Sequence, residues 1–272
     1  MRIEEGKNEK EMVAIDEKGN LLGKGYIYPS LASELYEKDR YNIFITIKVN
    51  EDDPGNQIKD FIFEKIMERA HQIRKEYKDS DVRVYHCCFS YDKDNIEYYK
   101  NKEGFVHDEG MHILRHGLES IPGYNKIFEG LDIIEDGLEN EDDILKFIEE
   151  HRKIFRSSPY TVEEIKKFKE KPNWKSVSIL HDNRLVANVI FYVIEKDGLK
   201  IGWVDDMFVS KEWRKQGLAS YLMIIGLNYF KSLGLDESRL ELWSGNKRAG
   251  NLYYKLGYEL HKETQASIGK FI

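Results

Sequence analysis

Long apolar runs are missing from this sequence. No stretch approaches the roughly eighteen consecutive apolar residues of a membrane-spanning helix, which excludes that class of protein. Cysteine is nearly absent: Cys87 and Cys88 are the only two, and side by side they leave no spacing for an ordinary structural bridge. A reducing compartment is expected. Nor is there an excess of positive charge. With 42 basic against 49 acidic residues the formal net charge is −7, which argues against nucleic acid or anionic membrane as a general partner. The charges are interspersed, as on a solvated surface. Residues 1–12 are polar and lack the apolar core of a secretory signal, so a cytoplasmic location is expected. What is present suffices for packed cores: 272 residues, 41% hydrophobic and 12% aromatic, a length that suits two domains of ordinary size.

The pattern along the chain repeats. Alternating apolar residues from Met12 to Tyr28 flank the turn at 17–20 and predict a hairpin, and Tyr41 to Val49 predicts a third strand. Apolar residues Phe61, Ile62, Ile66, Ala70 and Ile73 then fall at helical spacing, followed by a strand over 82–89, a short helix over 95–102 and a strand from Gly104-Phe105 to near Arg115. The second half has a strand at 131–135 and two helices as a preface, 141–155 and 161–170, the latter with Thr161 and Glu164 at capping-box distance. A hairpin over 177–194 follows, then a strand over 200–209 and a helix over 216–233 with the stripe Leu218, Leu222, Ile225, Tyr229. Strand 239–243, helix 247–255 and strand 258–261 close the chain. Hairpin, strand, long helix, strand, short helix, Gly-aromatic and strand thus occur twice, with a boundary expected between Gly117 and Gly130, around Pro122.

The run WVDDMFVSKEWRKQGLASYL, 203–222, joins a strand to a helix through the basic turn Arg214-Lys215-Gln216-Gly217-Leu218-Ala219. Such a turn frees backbone N–H groups and aims them, with the positive end of the helix dipole, at a phosphate or pyrophosphate. Gly217 allows close backbone approach, and small Ala219 keeps the first turn clear. About thirty residues on, the chain reads Asn246-Lys247-Arg248-Ala249-Gly250-Asn251-Leu252-Tyr253-Tyr254-Lys255-Leu256-Gly257-Tyr258.

These two linked signatures resemble the GNAT superfamily of acyl-CoA-dependent N-acyltransferases, closely in the C-terminal half and faintly in the N-terminal half. The resemblance implies an α/β protein of two tandem GNAT-type domains, each a mixed, mostly antiparallel twisted sheet flanked by helices. A degenerate one is expected over 1–118 and an acetyl-CoA-binding one over 131–272. Aligning Val49 with Val209 puts Gln57 where Gly217 stands, beside the acidic turn Glu51-Asp52-Asp53-Pro54-Gly55, which would repel a pyrophosphate. The first domain is therefore expected not to bind coenzyme.

In the second domain the resemblance implies that strands 206–209 and 239–243 splay apart to admit the pantetheine arm. Backbone groups at Phe208 and Val209 would bond the arm, and an N–H there would polarise the thioester carbonyl. Arg214, Lys215, Gln216, Gly217, Leu218 and Ala219 would hold the pyrophosphate. Lys247 and Arg248 are candidates for the 3′-phosphate. Tyr253 stands where the family places the general acid, and Asn246 would bond the arm or the tyrosine, or cap a helix. The base is expected to be a carboxylate, or a water held by carboxylates, with Asp205, Asp206 and Glu241 as candidates; alternation along a strand lets only one of the two aspartates face the cleft. The amine attacks directly, so neither cysteine is expected to be a nucleophile. His86, Cys87, Cys88, His107, His112 and His116 gather in the first domain, but at no recognised ligand spacing, and no metal is expected. The expected activity is acetyl transfer from acetyl-CoA to a primary amine of a small molecule, by a monomer or homodimer. A non-catalytic acyl-CoA-binding or interaction protein and a peptide or protein N-acetyltransferase are the alternatives.

Overall fold

The structure is a computed structural model that describes residues 1–272 apart from 33–34, 37–38, 51–52, 127 and 156–159. Glu51 and Asp52 of the acidic turn lie outside the described residues. The strands are β1 (Arg2–Glu5), β2 (Glu11–Ile15), β3 (Leu21–Leu31), β4 (Arg40–Val49), β5 (Asp81–Phe89), β6 (Val106–Gly117), β7 (Asp132–Glu135), β8 (Lys175–His181), β9 (Arg184–Lys196), β10 (Leu199–Val209), β11 (Glu237–Trp243) and β12 (Glu259–Phe271). The helices are α1 (Gln57–Glu76), α2 (Lys93–Lys100), α3 (Glu141–Ile154), α4 (Val162–Phe168), α5 (Leu218–Ser232) and α6 (Lys247–Lys255). The chain forms two compact units: Met1–Met111 with Trp243–Gly245 and Glu263–Ile272, and His112–Leu242 with Asn246–Lys262. β12 runs ten residues beyond the strand read from the sequence, and its end pairs antiparallel with β5 in the first unit, Gln265 opposite Phe89 through Phe271 opposite Arg83.

In the first unit β1 to β4 form an antiparallel meander, and β4 pairs parallel with β5. Helix α1 exists because Ile62, Ile66, Ala70 and Ile73 share one face and are buried. It lies close on β3 because Gly25 has no side chain: a Cβ there would collide with Ile62 and Ile66.

Where β4 and β5 stop pairing and where α1 begins, this unit places its own side chains. The parallel pairing of β4 and β5 ends at Phe44 opposite Tyr85. At the next residue pair His86 Nδ1 donates to the Ile45 carbonyl at 2.8 Å, and its ring stacks on Tyr99 at 4.3 Å. Counting from the helix caps Asp92 and Asn246, Tyr99 is the counterpart of Tyr253. The N-cap of α1 is Asn56 with φ 58°, as Gly217 with φ 96° is that of α5, so the counterpart of Gly217 is Asn56 rather than Gln57. Asp53 then supplies the anion itself: its two carboxylate oxygens accept from the N–H groups of Ile58 and Lys59, both at 2.9 Å. Asp53→Ala is expected to cost about 1 kcal/mol of stability, as a lost helix cap does, without creating a second coenzyme site. Chemical denaturation with a ligand titration of the variant checks both.

In the second unit the sheet order is β6-β11-β10-β9-β8-β7. Asp182 and Asn183, both at positive φ, make the tight β8–β9 turn. The capping box holds: Thr161 Oγ1 accepts from Glu164 N–H at 3.2 Å, and the Glu164 carboxylate accepts from Thr161 N–H at 2.7 Å. One face of the sheet packs α5 through Leu222, Met223, Leu227 and Phe230, while Ile225 and Tyr229 of the expected stripe are only half-buried. The other face packs α3 and α4 through Ile144, Phe147, Ile148, Ile165, Ile190 and Phe208. No helix among the described residues is long and apolar enough to cross a membrane.

Candidate active site

The loop and the cleft are both in the second unit. After a single 3-10 turn at Lys211–Trp213, Arg214 folds back so that its Nε donates to the Val209 carbonyl at 3.0 Å. Lys215 and Gly217 take positive φ, 62° and 96°, and α5 starts at Leu218 with no side-chain cap. The N–H groups of its first turn therefore have no side-chain acceptor, and the helix dipole adds to them. Lys215 and Gln216 are exposed, Leu218 is buried, and Ala219 is half-buried. Burial first, then the like charge of Arg248, pulls the Arg214 pKa down, which places two guanidinium groups near one another by the loop.

The splay is present. β10 pairs parallel with β11 only from Gly202 opposite Ser238 to Val204 opposite Leu240. On its other side β10 slips register against β9 between Val204 and Asp206, a bulge at Asp205. Phe208 and Val209 lie past this point and pair only with β9, opposite Asn188 and Ala187. No strand pairs with their β11-facing side, where the Val209 carbonyl already accepts from Arg214 Nε.

The bulge overturns the expectation that only one aspartate faces the cleft. Val204 belongs to the α5 core, whereas Asp206 lies opposite Ile190 of the α3–α4 core, with Phe208 two residues on. The extra residue puts both carboxylates on the α3–α4 side. Asp205 Oδ1 accepts from the Tyr192 hydroxyl at 2.6 Å. Asp206 Oδ2 accepts from the Tyr160 hydroxyl at 2.9 Å and lies 2.9 Å from His151 Nε2. Burial raises the Asp205 pKa, against the lowering effects of the Tyr192 hydrogen bond and the Lys171 charge. Burial, then Asp206 and Asp205, push the Tyr160 phenol up, so it donates and does not ionise.

Tyr253, on α6, is 9% exposed, with its ring 5.8 Å from that of Tyr258. Its pKa is raised by burial first and by the Asp206 charge second, so the phenol senses the carboxylate cluster. Among the described residues no hydrogen bond is found from its hydroxyl. Asn246 caps α6, its Oδ1 accepting from Ala249 N–H at 3.2 Å. Glu241 is exposed on β11, past the last residue paired with β10. No sequence motif marks His151, Tyr160 or Tyr192. The available signal was that His151 occupies a core position of the α3 stripe Ile144, Phe147, Ile148, Ile154, where a buried imidazole needs a polar partner.

A cavity of about 410 Å³, lined by Arg115, His116, Glu119, Glu259 and His261 among others, shares no residue with the loop or the carboxylate cluster. In the first unit burial pushes the Cys88 thiol up to about 11 and raises that of Cys87. Both stay protonated at neutral pH, the unreactive form. No group of three or more metal-binding side chains occurs among the described residues.

The model of the Acetyltransferase (GNAT) family matches residues 144–258, which form a GNAT-family domain. Among solved structures, a GCN5-related N-acetyltransferase from Sphaerobacter thermophilus aligns over 96% of this chain and 80% of its own, at 15% identity and a TM-score of 0.51. A tandem GNAT protein from the clavulanic acid biosynthesis pathway aligns over 96% of this chain and 82% of its own, at 11% identity and a TM-score of 0.50. At these identities the likeness is one of fold, and the fold is that of tandem GNAT proteins. No curated protein matches the chain.

Proposed function

We propose that the chain is an N-acetyltransferase that uses acetyl-CoA bound by its second unit to acetylate a primary amine of a small cationic molecule. The observation that carries this is the bulge at Asp205, which puts two carboxylates on one face at the place where β10 and β11 part. The uncapped α5 N-terminus, the positive φ of Gly217 and the side of Phe208 and Val209 that no strand pairs fit coenzyme A: donors for its pyrophosphate and room for its arm. When bound, the coenzyme supplies a thioester open to attack by an amine.

The chain's own residues manage charge and protons. Asp205 and Asp206 draw in an ammonium ion, and Asp206, held by Tyr160 and His151, takes its proton to leave the nucleophilic amine. As the amine nitrogen bonds to the acetyl carbon and the carbon–sulfur bond breaks, Tyr253 would give its hydroxyl proton to the sulfur and take back the proton that the nitrogen must lose. Burial and the Asp206 charge raise the phenol pKa, which keeps the hydroxyl protonated at neutral pH and makes it a weak acid. Tyr253→Phe is therefore expected to lower turnover by about 10² at nearly constant acetyl-CoA affinity. Steady-state kinetics beside calorimetry checks this, and a variant as fast as wild type removes Tyr253 as the acid.

Calorimetric titration of acetyl-CoA into the full chain tests the coenzyme half of the proposal. One site per chain is expected, because in the first unit Asp53 already occupies the N–H groups at the start of α1, and His86 and Tyr99 pack together past the end of the β4–β5 pairing. A stoichiometry of two would show that the first unit binds as well.

A further inference from the structure

The segment between β6 and β7 joins the two repeats of the sequence, yet it is packed along α5. Ile121, Tyr124, Phe128 and Leu131 lie against the core that α5 covers, and the rings of Tyr124 and Phe128 are 5.2 and 5.3 Å from that of Tyr221. The segment sends two polar side chains to one loop. The Tyr124 hydroxyl donates to the Gly217 carbonyl at 3.1 Å, and the Lys126 ammonium donates to the Gln216 carbonyl.

Peptide geometry gives these contacts a consequence. A trans peptide is planar, so its C=O and the N–H of the following residue point in opposite directions. A donor that holds the Gln216 carbonyl fixes the Gly217 N–H on the far side of the loop. Holding the Gly217 carbonyl does the same for Leu218 N–H. The Gly217 carbonyl is already directed by a helical bond from Tyr221 N–H at 3.0 Å. Gln216 precedes the helix, and Lys126 orients a peptide that no helical bond reaches. Gly217 also has a neighbour to spare: a Cβ there would collide with the Tyr124 hydroxyl, so the absent side chain makes room for that bond.

We propose that Tyr124 and Lys126 are positioning residues that aim the N–H groups of Gly217 and Leu218 at the coenzyme pyrophosphate, making the connecting segment part of the coenzyme site. This rests on the reading of the 214–219 loop as the pyrophosphate site. Neither residue belongs to the two sequence signatures, and both act through backbone carbonyls on the side of the loop away from the ligand.

The test is the dissociation constant of the full chain for acetyl-CoA and for 3′-phospho-ADP, which carries the pyrophosphate without the pantetheine arm. Tyr124→Phe keeps the ring packing and removes one hydroxyl; it is expected to weaken both ligands by about 3- to 10-fold, the worth of one hydrogen bond. Lys126→Met is expected to weaken both by about 10-fold or more, since a charged donor is lost, and Lys126→Arg to restore most of the loss. Unchanged constants in both variants, a loss confined to acetyl-CoA, or no rescue by arginine would each overturn the proposal. A wild-type protein that binds neither ligand would instead overturn the coenzyme reading itself, and this inference with it.

Discussion

Asp206→Asn lowers turnover by about 10² to 10⁴ while leaving acetyl-CoA affinity close to wild type: this is the first expected result. The carboxylate accepts from Tyr160 and meets His151 on a single oxygen, Oδ2. An asparagine keeps the volume and the Tyr160 bond through its carbonyl oxygen but cannot take a proton. Coenzyme binding should survive because the 214–219 loop lies after the strand, and the partners of Asp206 are His151 and Tyr160 rather than a residue of that loop. Steady-state kinetics with calorimetry separates the two terms; a variant with wild-type turnover would transfer the role of base elsewhere. The neighbouring carboxylate should behave differently. Burial raises the Asp205 pKa, so the folded chain holds that proton more tightly than the unfolded chain. The stability this gives is complete below the unfolded pKa and is lost as pH rises through the folded one. At neutral pH the ionised group is a burden, and Asp205→Asn, which can still accept from Tyr192, is expected to raise the melting temperature at pH 7. The gain should shrink as pH falls toward about 4, the ordinary aspartate value. An equal gain at both pH values would mean that burial of charge is not its cause.

Gly217→Trp is expected to weaken acetyl-CoA binding by more than about 10², the second large effect. Two causes add. A φ of 96° costs a residue with a Cβ about 1 to 2 kcal/mol, and that Cβ would displace the Tyr124 hydroxyl from the Gly217 carbonyl. The indole then covers the N–H groups that begin α5. The strain should lower the melting temperature without unfolding the chain, since Gly217 is half-buried and the core residues of α5 begin at Leu218. Calorimetry and a melting curve on the same sample check this; wild-type affinity in a folded variant would remove the loop from the coenzyme site.

Much of this was legible in the sequence because it depends on local rules. Helical spacing at 62, 66, 70 and 73 gave α1, the Thr161–Glu164 spacing gave a cap that is present, and the repeat of element types gave the tandem fold. The missing parts depend on residues that meet across the fold. Strand alternation allowed one aspartate in the cleft, but a bulge is set by how β10 pairs with β9, and it admits two. His151 reads as one more position of an amphipathic helix until Asp206 is placed against it. Counting from Val49 put Gln57 in the place of Gly217, whereas the start of α1 places Asn56 there, because the two connecting turns differ by one residue. The segment at 118–131 reads as a linker from its glycines and Pro122, and only its packing on α5 shows which loop it holds.

Free-thiol release from acetyl-CoA, followed for the wild-type chain and for Asp206→Asn across polyamines, aminoglycosides, amino acids and short peptides, addresses the acetyl-transfer proposal as a whole. Release with at least one small cationic amine, reduced by about 10² or more in Asp206→Asn, is the expected result. One tightly bound acetyl-CoA per chain with no thiol released for any amine in the panel would contradict it, and would leave a protein that binds the coenzyme without using it.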